Sequence, residues 1–134
     1  MPTAENVSMA NIRDGNHLYN DVLIQIVDPG YKFPIPKVEF RIVHQFEFLD
    51  AEVEDVDIIN EAKITMEQAA AIVAILTDAY KKDLNVTVHC HMGICRSGAV
   101  VEVAEAVGFD ITNRFRLPNH MVKRYLLDKA MYNV

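Results

Sequence analysis

Fifteen residues about two-thirds of the way along the chain, Val86-Thr87-Val88-His89-Cys90-His91-Met92-Gly93-Ile94-Cys95-Arg96-Ser97-Gly98-Ala99-Val100, leave it little freedom in how it can fold. They read as a short apolar strand, a tight loop opened by a cysteine and closed by an arginine, and an amphipathic helix. A loop feeding a helix N-terminus presents unpaired backbone N–H groups and the positive end of a helix dipole, so it attracts anions. The span from Cys90 to Arg96 is the right length to wrap one tetrahedral oxyanion such as phosphate. His91, Met92, Gly93, Ile94, Cys95 and Ser97 complete the cradle, and Arg96 closes it with a two-pronged contact. The same positive field favours the thiolate of Cys90, which is the nucleophilic form. Gly93 suits a loop whose amides must turn inward.

The rest of the chain bounds the setting of this loop. A length of 134 residues predicts one domain, 1–134, with a single core. No apolar run reaches spanning length and no basic-apolar leader opens the sequence, so the expected location is cytoplasmic and no membrane partner is expected. Two cysteines five apart do not resemble a secretory disulfide framework. The net charge of −6 argues against nucleic-acid binding. That charge is uneven: seven acids and no base lie between Phe46 and Glu61, and five bases face Asp128 alone from Ile111 to Val134. The basic end either supplies positive charge to an anionic substrate or is one solvated surface opposite another.

Along the chain, Met1 to Asn20 reads as an irregular start with a short helix or turn around Ser8–Asn11. Asp21–Asp28 is a near-continuous apolar run, predicted as a strand buried on both faces. The loop from Asp28 to Pro36 follows it, at the strand end where parallel sheets bind ligands. Two strand pieces are expected, Phe40–Val43 and Gln45–Leu49, with Asp50 at the end of the second. Thr65-Met66-Glu67-Gln68 is a capping-box signature opening a helix that ends near Lys81-Lys82. Asn85–His89 is the strand entering the loop, Ser97–Val107 the helix leaving it, with Gly108 as its cap. Pro118-Asn119 opens a last helix. Strands alternating with helices predict an α/β fold with a mainly parallel central sheet flanked by helices.

Val88-His89-Cys90, Gly93 and Arg96-Ser97 match the signature H-C-x-x-G-x-x-R-[S/T] of the cysteine-dependent protein tyrosine and dual-specificity phosphatases, and the chain resembles that family. The resemblance extends more loosely over most of the sequence, toward the small single-domain bacterial and phage-type members. It implies a phosphotyrosine protein phosphatase-like fold and a substrate that is a phosphorylated protein or small phosphate ester. It also implies attack by Cys90 on phosphorus to give a cysteinyl-phosphate, hydrolysed by water with no cofactor. By the same resemblance, Arg96 holds the equatorial oxygens, Ser97 donates to the departing sulfur, and an aspartate upstream serves as general acid and then base.

Asp50 fits that last role, since Phe48-Leu49-Asp50 resembles the corresponding segment of the small bacterial members. Asp55 and Asp57 stand nearer the spacing of the larger tyrosine phosphatases. His89 reads as orienting the loop. Several alternatives stay open at the level of sequence. Cys90 could be a packed structural thiol, Arg96 a surface ion pair, Ser97 only a helix cap, and the three aspartates solvated loop carboxylates. Ile94-Cys95-Arg96-Ser97 resembles the low-molecular-weight tyrosine phosphatases and related arsenate reductases, in which a second loop cysteine can pair with the first. A non-catalytic phosphate-binding module and a thiol redox enzyme of arsenate-reductase kind are therefore the rival functions. A metal site built from His89, Cys90, His91 and Cys95 is disfavoured, because neighbouring ligands on one strand end splay apart and Arg96 repels a cation.

Overall fold

Strands that are buried at every position form the centre of the protein, seen in a computed structural model that describes residues 1–51 and 62–132. β2 (Val22–Val27) and β4 (Val86–Cys90) are buried throughout, as a parallel sheet covered on both faces requires. They are neighbours in a five-stranded sheet with β1 (Thr3–Ser8), β3 (Ile42–Glu47) and β5 (Asp110–Ile111), in the order β3-β2-β4-β1-β5. Every pairing is parallel, for example Ile24 beside Val88 and Ser8 beside Cys90. The expected α/β architecture is present.

Among the described residues the sheet is accompanied by the helices α1 (Met9–Asp14), α2 (Met66–Lys81), α3 (Arg96–Val107) and α4 (His120–Tyr132). Thr65 caps α2 as the sequence predicts, its hydroxyl accepting from the Gln68 amide at 3.0 Å while the Gln68 side chain accepts from the Thr65 amide at 2.9 Å. Side chains alternate across a strand, so β1 and β2 each serve two cores. Ile24, Ile26, Val86 and Val88 pack with Ile72 and Leu76 of α2, Val100 of α3 and Leu126 of α4. Leu23 turns the other way, to Val7, Ile12 and Phe40. Among the described residues no helix is long and apolar enough to cross a membrane.

Two sequence expectations need correction. The irregular start contains β1, a strand adjoining β4 for its whole length. Its Glu5 and Asn6 are buried, which sequence patterning reads as loop polarity. A buried carboxylate is tolerated only when paired. Glu5 accepts from Arg114 Nε at 2.7 Å and from the Leu18 amide at 3.1 Å. The two strand pieces are one strand, β3, and Phe40 and Leu49 lie outside it. As the sheet edge, β3 is largely exposed, so it carries no clean burial pattern to mark its ends.

Candidate active site

The loop between β4 and α3 is held open from outside. Four of its carbonyls accept from the scaffold: His91 from the Met9 amide at 3.1 Å, Gly93 from Asn6 Nδ2 at 2.8 Å, Ile94 from the Leu117 amide at 3.2 Å, and Cys95 from the Asn119 amide at 3.0 Å. A trans peptide is a rigid plane with C=O and N–H on opposite sides. Each carbonyl drawn outward therefore turns the following amide inward, at Met92, Ile94, Cys95 and Arg96. Gly93 has φ +75°, and a Cβ there would lie 2.3 Å from the Val7 carbonyl carbon and 2.5 Å from the Ser8 nitrogen. The glycine is needed because the loop presses on the backbone of β1.

The inward amides face a cavity of about 580 Å³ lined by Asp28, Leu49, Asp50, Ala51, Cys90, His91, Met92, Ile94, Cys95, Arg96 and Leu117. Cys90 is buried, with its sulfur 3.2 Å from the Ser97 hydroxyl. Ser97 is not the helix cap: Cys95 holds that position and makes no side-chain capping bond. His91 and Met92 are exposed on the rim, while Ile94 and Cys95 are half-buried. Both cysteines are free thiols.

Arg96 is buried, and its Nη1 donates to Asp28 Oδ1 and to the Phe48 carbonyl, each at 2.7 Å. The ion pair weighed from sequence thus exists, but inside the pocket rather than on the surface. It engages one amino group of the guanidinium. The Nε of Arg96 is buried with no hydrogen-bond partner among the described residues, and such an orphaned charged donor is costly unless a ligand meets it. Asp50 lies on the rim of the same pocket, its Oδ1 accepting from Asn119 Nδ2 at 2.6 Å. Asp55 and Asp57 lie outside the described residues.

The C-terminal stretch contributes Leu117 to this pocket, but none of its bases is among the described lining residues. Arg114 pairs with Glu5, while Arg116 and Lys123 both pair with Glu102. Among the described pocket-lining residues Arg96 is the one permanent cation.

His89, on β4, is buried, with Nδ1 3.3 Å from the Cys90 carbonyl oxygen. Burial lowers its pKa from 6.5 to about 4, assisted by repulsion from Arg96 and Arg13 and opposed by the bond to the Cys90 carbonyl. A neutral ring that donates to a carbonyl at the loop's entrance suits orientation rather than proton transfer. The unfolded chain binds this proton first as pH falls, so its contribution to stability is complete above about pH 6.5 and is lost on descent toward pH 4. The loss amounts to about 3 kcal/mol at most. Denaturant unfolding at pH 7 and pH 4.5 should show a smaller decline in His89→Gln than in the parent; an equal decline would place the sensitivity elsewhere.

Three residues that the sequence did not flag belong to this site. Asp28 ends a buried strand, and the strand-end rule drew attention to its loop without naming the side chain. Asn6 and Asn119 tie the loop to β1 and α4. Asn119 carried a signal, as the polar residue after Pro118 where a helix begins, but its contact with Asp50 spans 69 positions.

No protein-family model matches the sequence, and no curated protein matches it. Among solved structures, the chain is similar to the human tyrosine phosphatase-like serine/threonine/tyrosine-interacting protein, at 16% identity over 96% of this chain and 92% of that one, with a TM-score of 0.61. It is also similar to a mouse putative dual specificity phosphatase complexed with zinc tungstate, at 15% identity over 84% of this chain and 70% of that one, with a TM-score of 0.52. Likeness at these identities is one of architecture, and it agrees with the resemblance carried by the loop sequence. The chain has the fold of the dual-specificity phosphatases.

Proposed function

We propose that this protein is a cysteine-dependent phosphatase of the dual-specificity or tyrosine type, hydrolysing phosphate monoesters of a phosphorylated protein or small molecule. The observation that carries the reading is the buried, unpartnered Nε of Arg96, in a pocket that also contains the Cys90 sulfur. With Nη1 anchored by Asp28 and Phe48, the Nε edge of the guanidinium is left for two oxygens of a phosphoryl group.

The Cys90 thiolate attacks phosphorus in line, forming the S–P bond as the ester P–O bond breaks, and the departing oxygen takes a proton from Asp50. The Asp50 carboxylate then accepts a proton from water as that water attacks phosphorus. The S–P bond breaks, and the Ser97 hydroxyl donates to the sulfur it leaves behind. Arg96 and the loop amides carry the charge of both transition states, a task that needs fixed donors rather than a metal.

Release of phosphate from p-nitrophenyl phosphate without any thiol reductant tests this reading. Turnover supports it and removes the arsenate-reductase alternative. An inert protein that still binds inorganic phosphate would be a binding module instead. Asp50→Asn should slow phenyl phosphate hydrolysis about 100-fold and flatten the alkaline limb of the pH profile, since a general acid must be protonated to act. An unchanged rate and profile would move the role to Asp55 or Asp57.

A further inference from the structure

Asn119 connects three parts of the molecule. It is fully buried at the start of α4, and its backbone amide donates to the Cys95 carbonyl of the phosphate loop at 3.0 Å. Its Oδ1 accepts from the Val122 amide at 3.0 Å, capping the helix. Its Nδ2 donates to Asp50 Oδ1 at 2.6 Å and to the Ala51 carbonyl at 3.1 Å. All three contacts agree on the orientation of the amide group. Reversed, it would set an oxygen against a carboxylate and an NH₂ against an N–H.

Asp50 itself is exposed, on a connection beyond the end of β3. An exposed aspartate samples several rotamers unless something holds it. Asp28, Cys90, His91 and Arg96 line the same cavity, yet the Asp50 carboxylate hydrogen-bonds to Asn119.

We propose that Asn119 is a positioning residue for the general acid, holding Asp50 Oδ1 so that Oδ2 carries the transferable proton toward the leaving oxygen. The inference rests on Asp50 being that acid. The Asn119 bond serves both halves of the cycle, because Oδ1 accepts whether Oδ2 is protonated or not. The same side chain fixes the distance between acid and cradle, since its main chain is bonded to Cys95 and its amide group to Asp50.

The test exploits leaving-group chemistry. p-Nitrophenolate departs with little help, whereas phenolate needs the proton, so damage to the acid is read as a loss specific to phenyl phosphate. Asn119→Asp keeps an acceptor for the Val122 amide and so preserves the cap, but it loses the donor to Asp50. Asn119→Ala removes both. Each variant should lose about tenfold or more in kcat on phenyl phosphate, against less than about threefold on p-nitrophenyl phosphate, with KM little changed. In the Asp50→Asn background, Asn119→Asp should add no further leaving-group-dependent loss.

Equal losses on both substrates, or the same selective loss with Asp50 already replaced, would overturn the inference and leave Asn119 a structural cap. Wild-type activity on both substrates, with Asp50→Asn equally slow or equally fast on each, would instead overturn the assignment of Asp50, and the role of Asn119 with it.

Discussion

Cys90→Ser is expected to abolish turnover of p-nitrophenyl phosphate, with a loss of about 10⁴-fold or more, the scale seen when a covalent nucleophile is removed. The substitution is nearly isosteric, and the Ser97 hydroxyl that stands 3.2 Å from the sulfur would still find a hydrogen-bonding neighbour. What changes is the chemistry. A serine hydroxyl is almost wholly protonated at neutral pH, and its alkoxide is far harder to form than the thiolate it replaces. Even a phosphoserine, once formed, would break down slowly, because an alkoxide leaves far less readily than a thiolate. Arg96 and the inward amides are untouched, so the variant should still bind inorganic phosphate, measurable by calorimetry. Retention of more than about one per cent of the activity would place the nucleophile elsewhere.

The largest effect on stability is expected at Gly93. Two penalties combine in Gly93→Ala: a side chain at φ +75°, and a Cβ within 2.5 Å of three backbone atoms of Val7 and Ser8. Backbone atoms of a central strand cannot step aside as a flexible side chain can. Strain in the left-handed region and overpacking each cost about 1–3 kcal/mol, so a loss near 3 kcal/mol or more follows, lowering the thermal midpoint by about 10 °C. Gly30 provides the control. Its φ is +86°, but a Cβ there would meet nothing within 4 Å. Gly30→Ala should therefore cost only about 1 kcal/mol, the strain alone. Equal midpoints for the two variants would mean that the loop does not bear on β1.

These two positions also mark what sequence alone could deliver. The segment from Val86 to Val107 was legible because its information is local: a buried strand, a motif of fixed spacing and a helix with a glycine stop follow one another without a gap. Capping at Thr65 was legible for the same reason. β1 was not, because its burial depends on Arg114 reaching Glu5 and on Asn6 meeting Gly93 and Phe115, contacts that join opposite ends of the chain. Glu and Asn read as solvated until their partners are known. The anchoring of Arg96 by Asp28, and of Asp50 by Asn119, was hidden in the same way. Cys90 and Arg96 could be proposed from their types and surroundings, and Asp50 from a resemblance that left Asp55 and Asp57 open, whereas the residues holding Arg96 and Asp50 in place emerge only from the fold.

The outward carbonyl bonds of His91, Gly93, Ile94 and Cys95 bear on more than the shape of the loop. They run to β1, to α1, and to the segment before α4, and belong to the native state rather than to any bound anion. Ordering the cradle is thus coupled to folding. An arriving oxyanion has little conformational entropy left to extinguish, and its binding free energy reflects charge and hydrogen bonding with scarcely any deduction for loop closure.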